Sequence, residues 1–224
     1  PRPLSYTLRN ATGPDFVVGD GTGNATFNLD FGELSAYQIE IADNGGSTGV
    51  VSIDGPSSSL NIIEEFNVGI EGDGTLKIRN GGTVKSGFSS KLGPTVDSSG
   101  QVNVTSGGQW TAGEELSVGG EGDGELTIEA GGRVSSTNGF IASDAPSVAN
   151  ATVGGADALW QNDESLYIGG DENNGGGTAS LTIAPGGTVS VGETLTLWGS
   201  STVNMVGGTL RLEGGLDHNH GETI

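Results

Sequence analysis

The chain writes one stretch twice. Residues 67–84 read NVGIEGDGTLKIRNGGTV and residues 117–134 read SVGGEGDGELTIEAGGRV, an offset of 50. Across 66–84 against 116–134, 11 of the 19 pairs are identical, most of them glycines and alternating apolar residues. A repeat of that kind constrains architecture far more tightly than chemistry.

Within it, Leu116-Ser117-Val118-Gly119 puts two apolar residues either side of a polar one. Leu126-Thr127-Ile128 does the same, and Gly131-Gly132-Arg133-Val134 turns a corner into one more inward residue. Three short period-2 segments parted by glycine turns are the signal of half-buried strands. No stretch sustains helical spacing, and 43 glycines in 224 residues would make long helices costly, at about 1 kcal/mol for each interior glycine. The triple recurs at half the period: Phe66-Asn67-Val68, Leu76-Lys77-Ile78 and Val84; Val102-Asn103-Val104 and Trp110; Phe140-Ile141-Ala142, Ala151-Thr152-Val153 and Leu159-Trp160. Leu166-Tyr167-Ile168, Leu181-Thr182-Ile183 and Val189 follow, then Leu195-Thr196-Leu197, Val203-Asn204-Met205 and Leu210. The unit is therefore a coil of about 25 residues with three strands, and coils start near 16, 39, 66, 91, 116, 140, 166 and 195.

A period of this length with one supersecondary unit per repeat predicts a solenoid, each coil burying its neighbour's apolar edge. Parallel crossovers are overwhelmingly right-handed, so the expected fold is all-β: a right-handed parallel β-helix of about eight coils. Its predicted interior is Val68, Leu76, Ile78, Val84, Val102, Val104, Val118, Leu126, Ile128, Val134, Ile168, Leu181, Ile183, Leu195 and Leu197. Residues 1–15, with three prolines, read as a linker or cap; 16–212 as the β-helix, with 30–65 its most degenerate part; and 213–224 as a tail or the start of further coils.

Composition agrees. Aromatics at 5% and hydrophobics at 33% suit a narrow core of stacked aliphatics. The absence of cysteine excludes disulfides and thiolate metal sites. No apolar run approaches the length of a membrane-spanning helix, so direct membrane insertion is not expected. A net charge of −20 argues against nucleic acid and anionic membranes, both of which call for a basic face.

The run Val-Gly-x-x-Gly-x-Gly-x-Leu-x-Ile-x-x-Gly-Gly-x-Val at 68–84 and 118–134, with Gly-x-Val-x-Val at 100–104 and Gly-Gly-x-Trp at 107–110, resembles the repeats of autotransporter passenger regions. It is similar, too, to repeats in envelope proteins associated with PEP-CTERM sorting signals. The likeness covers most of 16–212; the loop DENNGGG at 171–177 and the segment 30–65 depart from it. It implies a secreted or bacterial cell-surface β-helix; with no paired-acid or nucleophile constellation in the chain, the expected role is structural or adhesive, without catalysis. Its expected partners are a host-cell or extracellular glycan surface and, end to end, another copy.

Gly-Asp-Gly recurs at 19–21, 72–74 and 122–124. Turn chemistry accounts for it, since both residues suit left-handed corners. The sharper expectation is Ca²⁺, the one cofactor considered, with Asp20, Asp73, Asp123 and Asp171 as oxygen ligands and Glu71 and Glu121 nearby. Against it, the nonapeptide calcium roll spaces its glycine and aspartate differently. Trp110 takes the slot held by Val84, Val134, Val189 and Leu210, and Trp160 lies one repeat further on, so both are expected inside. Trp198 follows Leu197 and is expected outside, the candidate ligand contact. His218 and His220 beside Asp217 offer too few ligands for a metal. The sequons at Asn10, Asn24, Asn103 and Asn150 are expected by chance in so Asn- and Thr-rich a chain. The alternative function is a carbohydrate-binding or polysaccharide-degrading β-helix, lyase or hydrolase. Asp97 and Asp144 are the acids to consider, but they are not equivalent positions and nothing pairs them.

Overall fold

The protein is described by a computed structural model, which covers residues 6–7, 15–199 and 201–217. It is all-β, three parallel sheets stacked as a solenoid. Each coil runs through an opening strand, a longer middle strand and a closing strand. The opening sheet has nine strands: Phe16–Val18, Ile39–Ile41, Phe66–Val68, Ser89–Leu92, Glu115–Val118, Asn138–Ile141, Leu166–Ile168, Thr194–Leu197 and Gly215–Asp217. The middle sheet has eight, from Asn24–Leu29 to Ser201–Met205; the closing sheet has nine, from Tyr6–Thr7 to Thr209–Leu212. This makes eight full coils, with one strand of a further coil at each end. Expectations for 1–5, 8–14 and 218–224, including Asn10, His218 and His220, lie outside the described residues.

The register explains the long repeat. Along the opening sheet the aligned residues are Phe16, Ile39, Phe66, Ser90, Leu116, Gly139, Leu166, Leu195 and Leu216. Successive steps are 23 and 27, 24 and 26, 23 and 27, then 29 and 21. Coil lengths vary, yet every odd–even pair closes at 50, and positions 16, 66, 116, 166 and 216 all hold Phe or Leu. The repeating object is the pair of coils.

The interior is as the alternation predicts. Fourteen of the fifteen expected residues are buried in one apolar cluster, and Leu197 packs against it part-buried. Trp110 and Trp160 fall in the column Leu34, Leu60, Val84, Trp110, Val134, Trp160, Val189, Leu210. The segment 30–65, degenerate in its glycines, keeps its inward set: Ile39, Ile41, Val51, Ile53, Leu60 and Ile62 are all buried.

One phase differs from expectation. In coil six Gly139 and Ile141 align with the inward Leu116 and Val118, so Phe140 faces out. The inward slot is closed by Asn162, whose Oδ1 would lie 2.3 Å from a Cβ at residue 139. That amide oxygen accepts a hydrogen bond from Ser136 Oγ at 3.0 Å. Phe140 is buried instead against Tyr167 on the outer face, rings stacked at 5.1 Å.

The two ends differ. At the start, Phe16 and Phe27 meet edge to face at 5.0 Å. Met205 in the last full coil and Leu216 on the strand beyond it, which continue inward columns, are 51% and 49% exposed. Among the described residues no helix is long and apolar enough to cross a membrane.

Candidate functional site

The candidate aspartates lie at the corner between the opening and middle sheets. The chain leaves each odd-numbered coil's opening strand through Gly19, Gly69, Gly119 or Gly169, all with positive φ, then crosses a short polar turn. Asp20, Asp73, Asp123 and Asp171 all lie on this corner, one in each odd coil. Asp73 and Asp123 are equivalent: each begins a middle strand and aligns with Ser99 on the coil between. They are therefore two strand spacings apart, about 10 Å. Asp123 Oδ1 accepts from the Val148 backbone N–H at 3.1 Å.

A groove between these coils is lined by Asp73, Val96, Asp97, Ser98, Glu121 and Asp123, among others. It is acidic and open to solvent on its rim.

The other two aspartates sit in different settings. The Asp20 carbonyl accepts from the side-chain amide of Asn44. Asp171 opens the enlarged turn of coil seven, where Ile168 to Ala179 spans 11 steps against 6 from Val118 to Gly124. Its Oδ1 accepts from the backbone N–H groups of Asn173 and Asn174 at 2.6 and 2.7 Å. That carboxylate closes its own loop. Among the described residues no group of three or more His, Asp or Glu side chains is placed to hold a metal ion.

Trp198 is half-buried and clasps the same loop. Its indole N–H donates to the Asp171 carbonyl at 2.9 Å. A Cβ at Gly170 would lie 2.7 Å from its Cδ1, and one at Gly175 3.4 Å from its Cε3. The glycines of DENNGGG thus let the backbone lie against the ring. Trp110 and Trp160 are inside, their indole N–H groups without a hydrogen-bond partner among the described residues.

Asp97 and Asp144 occupy the corners of coils four and six, two rungs apart. Asp97 lines the acidic groove, with φ +64°, while the Asp144 carboxylate accepts from its neighbour Ser143 at 3.1 Å. The structure does not bring the two together on equivalent positions.

Sequence reasoning passed over a second depression, on the outer face of the middle sheet. It is lined by Thr75, Lys77, Gln101, Asn103, Glu125 and Thr127, with the backbone at Val102 on its floor. These residues fill the outward positions of three consecutive strands, in register. The signal is present in the repeat itself: with its two copies aligned, the middle letter of each Leu-x-Ile points outward from the same place.

No family model, curated protein or solved structure matches the chain.

Proposed function

We propose that this protein is a non-catalytic structural or adhesive shaft of the bacterial cell surface or its extracellular surroundings. The observation that carries it is the unbroken stacking of eight coils whose corners are too short to wall a cleft; the longest insertion is folded down under Trp198. A surface of −20 suits solubility and keeps the flanks of neighbouring rods apart. The exposed inward columns at Met205 and Leu216 suit contact with a further coil, either of the same chain or of a second copy docking end to end.

Two measurements test this. Incubation with a broad polysaccharide panel should release no reducing or unsaturated ends. Light scattering should show mass growing with concentration, and a monomer at every concentration, with and without Ca²⁺, sinks the end-docking part. The second reading, a polysaccharide-degrading β-helix, draws on the acidic groove. Product release abolished by Asp97→Asn would replace the scaffold reading with it.

A further inference from the structure

We propose that the depression on the middle sheet is a binding site for an uncharged, hydroxyl-rich polymer, a neutral polysaccharide strand lying across coils three to five. This rests on the adhesive reading above and deepens it by naming the surface and the ligand class.

The first support is hydrogen-bonding capacity left unused. Elsewhere on the solenoid several long polar side chains are tied to a neighbour. Asn61 donates to Glu33 at 2.7 Å, Arg79 to Asp54 at 2.7 Å, Asn138 to Glu164 at 3.1 Å, Gln161 to Asp163 at 2.7 Å and Gln38 to Glu40 at 2.7 Å. In the depression no such pair forms. The side chains of Thr75, Lys77, Gln101, Asn103, Glu125 and Thr127 make no hydrogen bond or ion pair among the described residues. Two amides each offer N–H donors and a carbonyl acceptor, two hydroxyls offer both, Lys77 donates and Glu125 accepts. A sugar ring presents the same mixture of donors and acceptors.

The second support is charge. Lys77 lies on the strand Asp73–Arg79 and Glu125 on Asp123–Ile128, with Ser99–Val104 between them. They are two strand spacings apart, about 10 Å, and make no ion pair with each other. One ammonium and one carboxylate leave the lining neutral, on a chain whose net charge is −20. A polyanion would meet that wider field as repulsion; a neutral chain would not.

The third is rigidity. All six residues stand on three parallel strands held by backbone ladders on both sides. Their Cα positions are fixed before binding, which lowers the ordering cost a ligand must offset.

Affinity gel electrophoresis on the intact protein tests the site, with soluble starch, a mixed-linkage β-glucan and a galactomannan as neutral probes and polygalacturonate as the charged one. The expected result is retardation by at least one neutral probe, weakened at least tenfold by Gln101→Ala combined with Asn103→Ala. Gln161→Ala, on the closing sheet, should leave it unchanged. Both variants alter outward side chains, and unchanged thermal unfolding will show that the fold is intact. A second variant, Asn103→Arg, should block the depression by bulk without emptying it. Retardation by no neutral probe, retardation that survives the double variant, or retardation by polygalacturonate alone overturns the proposal. Release of sugar ends would overturn the non-catalytic reading and leave the site standing; binding that survives the double variant does the reverse.

Discussion

At Gly124 a methyl group has nowhere to go. Its Cβ would lie 2.1 Å from the Gly119 backbone nitrogen and 2.5 Å from the Val118 carbonyl carbon, and backbone cannot move aside as a side chain can. Gly124 belongs to the column Gly49, Gly74, Gly100, Gly124, Ala149, Ala179, where the middle strand turns in against the opening strand. Gly21, on the exposed turn of the first coil, has nothing within 4 Å and no left-handed φ. The same substitution should therefore have opposite signs at the two sites. Gly124→Ala should destabilise by about 1–3 kcal/mol or more through overpacking. Gly21→Ala should stabilise by about 0.4–1 kcal/mol through the unfolded chain. Urea titrations of both variants check this. A second residue-scale prediction concerns Glu40. Burial pushes its carboxyl above the ordinary range, helped by Asp43 and Asp15, with Gln38 opposing and Glu65 adding a little. The folded state then holds the proton more tightly than the unfolded one, so stability falls as pH rises from the ordinary carboxylate value through the raised one. Glu40→Gln should be more stable than the parent at pH 7, and the gap should close in acid. A gap that persists below both values would contradict the electrostatic origin.

Odd and even coils interlock at their first corner, within a pair and between successive pairs, and this is what makes the pair the repeating unit. Gly72 sits so close to the even coil before it that a Cβ would lie 2.5 Å from the Ser47 carbonyl oxygen. Gly122 stands likewise against Thr95, at 2.3 Å from its carbonyl oxygen, and Ser147 Oγ donates to the Gly122 carbonyl at 2.7 Å. Removing residues 67–116 joins odd corner to odd corner and keeps every such contact type, so the shortened chain should unfold in one cooperative transition. Removing 67–90 alone stacks even on even and should cost more stability despite deleting less chain. Calorimetry on the two deletions separates these outcomes. Much of this was legible in the sequence, because inward positions of a stacked coil must be apolar at fixed spacing: Val68, Leu76, Ile78 and the shared slot of Trp110 and Trp160 could be read directly. What escaped was set by contacts between segments far apart in the chain. The phase at Phe140 depends on Asn162, on the closing strand of the same coil, filling the space over Gly139. The role of Trp198 depends on a loop folding back beneath it, and alternation says only that the ring points outward. The depression at Gln101 and Asn103 appears only when three strands are laid side by side.

For the molecule as a whole, parallel stacking sets length, stiffness and the placing of every surface group. The flanks are acidic and repel over roughly 10 Å at 0.1 M salt, while Met205 in the last full coil and Leu216 on the strand beyond it are left uncovered. Function in a shaft of this kind follows from which residues share a rung. The most direct test of that arrangement uses the chain's lack of cysteine. Thr152 and Thr182 are aligned outward on adjacent middle strands, and Thr127 aligns with Thr152 one coil earlier. Neighbouring strands about 4.8 Å apart fall within disulfide reach of about 4.4–6.8 Å between Cα atoms, whereas two spacings do not. Oxidation of Thr152→Cys with Thr182→Cys should form an intramolecular disulfide, seen as a shift in gel mobility reversed by reductant. Thr127→Cys with Thr182→Cys should remain reduced under the same conditions. If the first pair fails to close, or the second closes as readily, the coils are not stacked in this register and the account of the molecule as a parallel solenoid is wrong.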